Sequence, residues 1–174
     1  ALPVKNLIDP EGAHLYLWTT NNFLPDALEV VRAWGFEYVT MITWLKDRQG
    51  LGQYYRGLTE HCIFARTPNR LPYKLLDGKR QQGVTGFCAP KGRHSAKPEE
   101  MRRMIERVSY APRIELFARE PHAGWDVWGN EIPGAQALLA DFARSLNAMT
   151  DAELAKAARQ ARQDSRNSDL MGEG

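Results

Sequence analysis

His14-Leu15-Tyr16-Leu17-Trp18, then Thr19-Thr20-Asn21-Asn22, then Phe23 to Trp34 closed by Gly35, then Phe36 to Leu45: this stretch decides the fold class. Its opening five residues are nearly continuously apolar and follow the turn-like Asp9-Pro10-Glu11-Gly12, the pattern of a buried strand. Phe23, Ala27, Leu28, Val30, Val31 and Trp34 recur at helical spacing. Cap-type side chains stand before them and a glycine just after, so the spacing predicts a helix. Phe36 to Leu45 alternates and is β-branched, as a second strand would be. Strand, helix, strand is the unit of an α/β fold.

Working outward, Glu60 to Arg66 reads as a third strand. The Lys46 to Thr59 stretch before it, with Gly50, Gly52, Gly57 and two tyrosines, reads as an ordered but mobile loop. Residues 67 to 97 carry Gly and Pro with little periodicity, and Val84 to Cys88 suits a short strand. Lys97-Pro98-Glu99-Glu100 starts a second helix, since proline fits a first turn and acids suit its positive end. Met101, Met104, Ile105 and Val108 form its apolar face. Arg113 to Ala118 reads as a fourth strand and Arg119 to Glu131 as a loop. Strands alternate with helices, which favours a parallel sheet. From Pro133 the texture becomes Ala-rich. Residues 133–163 are expected to form peripheral helices and 164–174 a flexible tail.

The whole chain has 23 Lys and Arg against 21 Asp and Glu, a net charge of +2, with 43% hydrophobic residues. This composition excludes a collagen, a disordered chain and a disulfide scaffold as descriptions of the whole. No apolar run reaches the ~18–20 residues that span a bilayer. Ala1 to Asp9 lacks the basic and apolar regions of a signal peptide. Cys62 and Cys88 belong to no CxxC pair and no zinc spacing, so they read as structural thiols of a reducing, cytoplasmic compartment, with no metal. The near-neutral sum hides an asymmetry. From Thr40 to Arg119 sixteen Lys or Arg oppose seven acids, and from Arg70 to Lys97 seven oppose Asp77 alone. With Tyr54, Tyr55, Tyr73 and Phe87 interleaved, such a surface suits a phosphate backbone and an unstacked base; a solvated basic surface is the plainer alternative.

GxGxxG, GxxxxGK[ST], HExxH and GxSxG are all absent, so P-loop, zinc and serine-hydrolase readings fall away. Four segments remain: Leu15-Tyr-Leu-Trp18-Thr-Thr; Glu60-His61-Cys62; His94-Ser95-Ala96-Lys97-Pro98; and Glu115-Leu-Phe-Ala-Arg119 followed by Gly124-Trp125 and Trp128-Gly129-Asn130-Glu131. In identity, order and spacing they closely resemble the N6-adenine methyltransferase family named after the seventy-kilodalton MT-A subunit, bacterial and phage members included. The resemblance spans roughly Leu2 to Ile132.

The resemblance implies an α/β, Rossmann-like sheet that uses S-adenosylmethionine to methylate the exocyclic amino group of adenine. The substrate it implies is nucleic acid, DNA rather than RNA, with no membrane partner, and it is compatible with a homo- or heterodimer. Family members carry Asp-Pro-Pro-Trp at a strand end. There a carboxylate and a proline carbonyl accept hydrogen bonds from the adenine amino group and aim its lone pair at the methyl. The base must leave its stack or be single-stranded. This chain lacks that tetrapeptide, and Asp9-Pro10-Glu11 is no substitute. The catalytic motif is therefore expected upstream of Ala1, which leaves the sheet incomplete at its N-terminus and assigns no catalytic residue within the chain. Residues 1–132 form the partial methyltransferase domain under this reading, with the helices and the tail as its C-terminal extension. The alternative is a noncatalytic, nucleic-acid-binding methyltransferase-like subunit; a small-molecule methyltransferase fits the basic segment less well.

Carried over residue by residue, the resemblance implies cofactor-binding roles for Lys97, Arg119, His122, Asn130 and Glu131. Lys97 would meet the methionyl carboxylate or a substrate phosphate. Arg119, at a strand end where open α/β sheets bind ligands, would hold the ribose, and His122 is more loosely aligned with a second ribose contact. Asn130 and Glu131 would serve the adenosine. Trp125 and Trp128 wall the pocket or fill the core. On the substrate side stand Tyr54, Tyr55 and Arg56, which would grip the target nucleotide, Glu60, which would hold loop cations such as Arg56, and Trp18 at the active-site edge. Thr19 to Asn22 are explained equally well as helix caps.

Overall fold

The structure, a computed structural model, describes residues 4–69, 71, 73–93, 96–129 and 131–132. The helices expected in 133–163, the tail at 164–174, Asn130 and His94-Ser95 lie outside the described residues. The chain divides into two compact units, Ala1–Ser109 and Tyr110–Gly174.

In the first unit, β1 (His14–Thr19), α1 (Leu24–Ala33), β2 (Glu37–Lys46) and β3 (Thr59–Arg66) occur where the sequence pattern places them. The end of α1 shows why Gly35 stands there. Gly35 N–H donates to the Arg32 carbonyl and Phe36 N–H to the Val31 carbonyl, a reverse-turn cap that needs φ +84° at Gly35. Val31 and Phe36, the apolar pair that accompanies this cap, are both buried. The start of α1 differs from expectation. A 3-10 turn, Asn21–Phe23, precedes it, and neither Thr20 nor Phe23 caps with its side chain. Asn21 is occupied elsewhere.

The sheet order is β1-β3-β2-β6, with β6 at Gly86–Ala89. It is mixed, which corrects the expected parallel sheet. β3 runs antiparallel to both β1 and β2, and only β2 and β6 are parallel. Connection length explains this. α1 carries the chain across so that β2 points the same way as β1, whereas the helix-free loop after β2 turns the chain back, and β3 inserts between the two. Between β3 and β6 lies a hairpin that periodicity alone misses, β4 (Leu75–Leu76) and β5 (Lys79–Arg80). The second helix, α2, spans Glu99–Val108 with Pro98 as its N-cap residue.

Strand alternation sorts the side chains. Trp18 and Ile42 both face Cys62 in register, and Trp44 faces Glu60. Ile42, Cys62 and Met101 of α2 form a buried cluster, with Tyr16, Trp18, Phe64, Phe87, Met104 and Ile105 packed on it. Cys62 is fully buried, and desolvation pushes its thiol up to about 12. It is an inert core residue, as expected of a structural thiol.

In the second unit, β7 (Ile114–Leu116) pairs in parallel with β8 (Asp126–Trp128). The strand expected over Arg113 to Ala118 is thus shorter, and the expected loop from Arg119 to Glu131 contains a strand. Phe117 has φ +64°, so the backbone turns out of β7 one residue after it ends. Ala118 N–H then donates to the Trp128 carbonyl at 2.8 Å. The chains approach so closely that a Cβ on Gly129 would lie 1.9 Å from the Ala118 carbonyl oxygen. No described helix is long and apolar enough to cross a membrane.

Candidate functional site

At the C-terminal ends of β1 and β2, the face that carries α2 ends in charge. Glu60 opens β3 on that face, opposite Trp44. Lys46, two residues beyond Trp44 on the same face, places Nζ 2.8 Å from Glu60 Oε2. Lys97, on the approach to α2, donates to Glu60 Oε1. Each ammonium also lies over an indole: Lys46 Nζ is 5.0 Å from the Trp44 ring centroid and Lys97 Nζ 5.2 Å from that of Trp18. The two indoles meet edge to face at 6.2 Å, and Trp44 Nε1 donates to the Ala89 carbonyl at 2.8 Å. Burial alone would raise the Glu60 pKa. Hydrogen bonds from Lys46 and Lys97, with their charges, outweigh it and hold the carboxyl below its ordinary value. One carboxylate between two ammoniums leaves a net positive, half-buried group, suited to an anionic partner.

His61 is adjacent in sequence but on the opposite face. Nδ1 lies 3.0 Å from Thr43 Oγ1 and Nε2 2.5 Å from Asn21 Oδ1, while Asn21 Nδ2 donates to Thr59 Oγ1. An amide oxygen accepts, so Nε2 carries the proton and Nδ1 accepts from the threonine hydroxyl. Burial lowers the His61 pKa, with the charge of Glu60 opposing. This network ties the turn before α1 to the sheet.

The loop from β2 to β3 is closed on itself. Gly50 N–H donates to the Gly57 carbonyl at 2.7 Å, and Arg56 Nε to the Gly50 carbonyl at 3.1 Å. The closure turns Tyr54 and Tyr55 outward, 94% and 93% exposed. Arg56 therefore braces the loop and is not held by Glu60, whose oxygens are taken by the two lysines.

In the second unit, the ends of β7 and β8 bring Arg119 and Glu131 together. Arg119 Nη1 lies 3.6 Å from Glu131 Oε1, at the carboxyl edge of a parallel pair. Phe117 and Trp128 pack edge to face beneath at 5.4 Å, and Arg113 lies over the Trp125 ring at 5.9 Å. The half-buried His122 accepts Trp125 N–H on its carbonyl.

A family model described as MT-A70 matches residues 1–131. The chain belongs to the MT-A70 family. Among curated relatives, it is 32% identical over 129 residues to the Type II methyltransferase M.MunI of a Mycoplasma species, covering 72% of this chain and 53% of that one. To the probable N(6)-adenosine-methyltransferase MT-A70-like protein of rice (Oryza sativa subsp. japonica) it is 31% identical, covering 70% and 18%. To the human N(6)-adenosine-methyltransferase catalytic subunit METTL3 it is 32% identical, covering 74% and 23%. The chain thus spans about half the length of the Mycoplasma relative and about a fifth of the others.

Within the MT-A70 match, the expected site residues fall into separate groups. Lys97, Glu60 and Trp18 meet in the first unit, and Arg119 and Glu131 meet in the second. Tyr54, Tyr55 and Arg56 belong to the loop, and Asn130 lies outside the described residues. Sequence reasoning missed Lys46, Trp44 and the Asn21–His61–Thr43 network. Lys46 was within reach: alternation from Ile42 through Trp44 puts it on the Glu60 face. Among the described residues no His, Cys, Asp and Glu cluster could hold a metal.

Proposed function

We propose that the protein carrying this chain transfers a methyl group from S-adenosylmethionine to the N6 amino group of adenine in DNA. The observation that carries this reading is the family match over residues 1–131, which includes both ionic groups described above. DNA is the proposed substrate because, of the three relatives compared above, the chain covers the bacterial Type II methyltransferase most completely.

Each unit offers side chains whose chemistry suits part of the cofactor. Lys97, an ammonium braced on Glu60, would hold the methionyl carboxylate. Arg119 and Glu131 offer a donor and an acceptor to ribose hydroxyls. When bound, S-adenosylmethionine supplies an electrophilic methyl on a sulfonium. The adenine amino nitrogen is a weak nucleophile because its lone pair is delocalised into the ring, so positioning is this chain's contribution. Tyr54 and Tyr55 offer stacking faces to unpaired bases beside the target, and Trp18 forms a wall next to Lys97.

The test is transfer from labelled S-adenosylmethionine to an adenine-containing DNA by the whole protein, with nucleoside digestion to locate the label. Label on N6-methyladenine supports the reading. Label only on cytosine or on protein overturns it, and DNA binding without transfer would favour the noncatalytic subunit.

A further inference from the structure

The hairpin Leu75–Arg80 plays no part in the ionic groups or in the aromatic loop, yet its turn and its base are closely specified. Asp77 and Gly78 have φ +48° and +71°, so both central residues of the turn are left-handed. Such a turn twists in the sense of the strands and makes a tight ribbon. The register pairs Leu75 with Arg80 and Leu76 with Lys79. Directly opposed residues share a face and successive ones alternate, so Arg80 points to one side of the ribbon and Lys79 to the other. Tyr73 is on the Arg80 side, two residues before Leu75, and the Arg80 guanidinium lies 3.2 Å from its ring centroid. A guanidinium held over a ring keeps in-plane N–H groups to offer an acceptor.

The base of the ribbon is tied down while its tip is not. Gln81 N–H donates to the Lys74 carbonyl, Lys74 Nζ to the Glu106 carbonyl of α2, and Val84 N–H to Met104 Sδ. All six residues from Leu75 to Arg80 are exposed. Among the described residues neither Lys79 nor Arg80 forms an ion pair. On α2, Arg103 and Arg107 are also exposed, one turn apart.

We propose that this ribbon binds duplex DNA flanking the target adenine, entering the major groove with Lys79 and Arg80 on phosphates to its two sides. The major groove, about 12 Å wide, admits a two-stranded ribbon. The proposal rests on the DNA reading above. Charge on both faces of a narrow ribbon fits two phosphate walls. Leu75 and Leu76, about half exposed, share the faces of Arg80 and Lys79 and add apolar surface beside each cation.

The test compares the whole protein with its Lys79→Ala/Arg80→Ala variant on a duplex oligonucleotide, measuring the dependence of log K on log salt. The slope should fall by about two, one for each phosphate that is no longer neutralised, with kcat at saturating DNA unchanged. Arg32→Ala, an exposed cation on α1, should leave the slope as it is. A slope that the double substitution leaves unchanged, while the wild type binds and methylates DNA, would overturn the ribbon and spare the function. An equal loss from Arg32→Ala would also overturn it, reducing it to general surface charge. A wild type that binds no DNA would overturn both. Should Leu75→Ser/Leu76→Ser instead change the oligomeric mass while the slope stays put, the ribbon is a protein contact and the proposal fails.

Discussion

Lys46 Nζ sits 2.8 Å from Glu60 Oε2, and each side chain is only 13% exposed. The two stand on neighbouring strands, so the pair stitches the C-terminal end of β2 to the first residues of β3. The same carboxylate also takes Lys97, so one group fixes two cations from different parts of the chain.

Glu60→Gln keeps the shape and removes the charge. At pH 7 it should cost about 2 kcal/mol, the scale of charge-assisted hydrogen bonds discounted for partial exposure. The pH dependence has a definite sign. The folded pKa lies below the ordinary 4.5. The contribution is therefore complete above about 4.5 and is lost as pH falls through the lower folded value. Urea melts of wild type and variant should differ at pH 7 and converge in acid. A gap that persists undiminished at low pH would mean Glu60 acts through packing.

His14 and His61 act on the same acid side as Glu60 but at higher pH. His14 is lowered by burial and then by the charge of Arg66, with Nδ1 2.8 Å from Ser109 Oγ. His61 is lowered by burial. For a histidine held neutral, the unfolded chain binds the proton more readily, so stability is full above the ordinary 6.5 and drains as pH drops below it. Thermal midpoints should start to decline near pH 6.5, before any carboxylate protonates. The double variant His14→Gln/His61→Gln should lack that early decline. NMR titration gives the direct check, with both imidazoles protonating below 6.5.

Arg119 and Glu131 sit at the carboxyl edge of β7 and β8, where the proposed cofactor needs a donor and an acceptor. Arg119→Ala and Glu131→Ala should each weaken S-adenosylmethionine about tenfold by calorimetry, near 1.4 kcal/mol. Arg80→Ala, in the ribbon of the first unit, should leave cofactor affinity alone. Equal effects from all three would remove the assignment.

The strand-helix-strand core was legible because periodicity of 2 and of 3.6 is written in the residues that get buried: Val31 and Phe36, Ile42 and Trp44, Met101. Strand direction was not. Periodicity says nothing about which way a strand runs, and the antiparallel β3 depends on a helix-free loop bringing the chain back. β8 and the β4–β5 hairpin were hidden for another reason, since elements of two or three residues are too short to show a period. Of the candidate residues, Lys97 in the first unit and Arg119 and Glu131 in the second were reachable through motif resemblance. The Asn21–His61 bond joins residues 40 apart, and only the register of β3 against its neighbours brings them together.

Tyr54 and Tyr55 separate function from stability most cleanly. At 94% and 93% exposure they bury almost nothing, so removing them should leave the melting midpoint where it is. Their loop stays closed through the backbone bonds of Gly50 and through Arg56, none of which needs a tyrosine ring. Stacking of one base on one aromatic contributes about 1–3 kcal/mol. Tyr54→Ala/Tyr55→Ala should therefore raise KM for DNA about tenfold or more with folding intact. Tyr54→Phe/Tyr55→Phe should restore it, because stacking uses the ring and not the hydroxyl. A KM that the phenylalanines fail to rescue would assign the hydroxyls, not the rings, to the substrate; a KM unmoved by alanine would place the target nucleotide elsewhere.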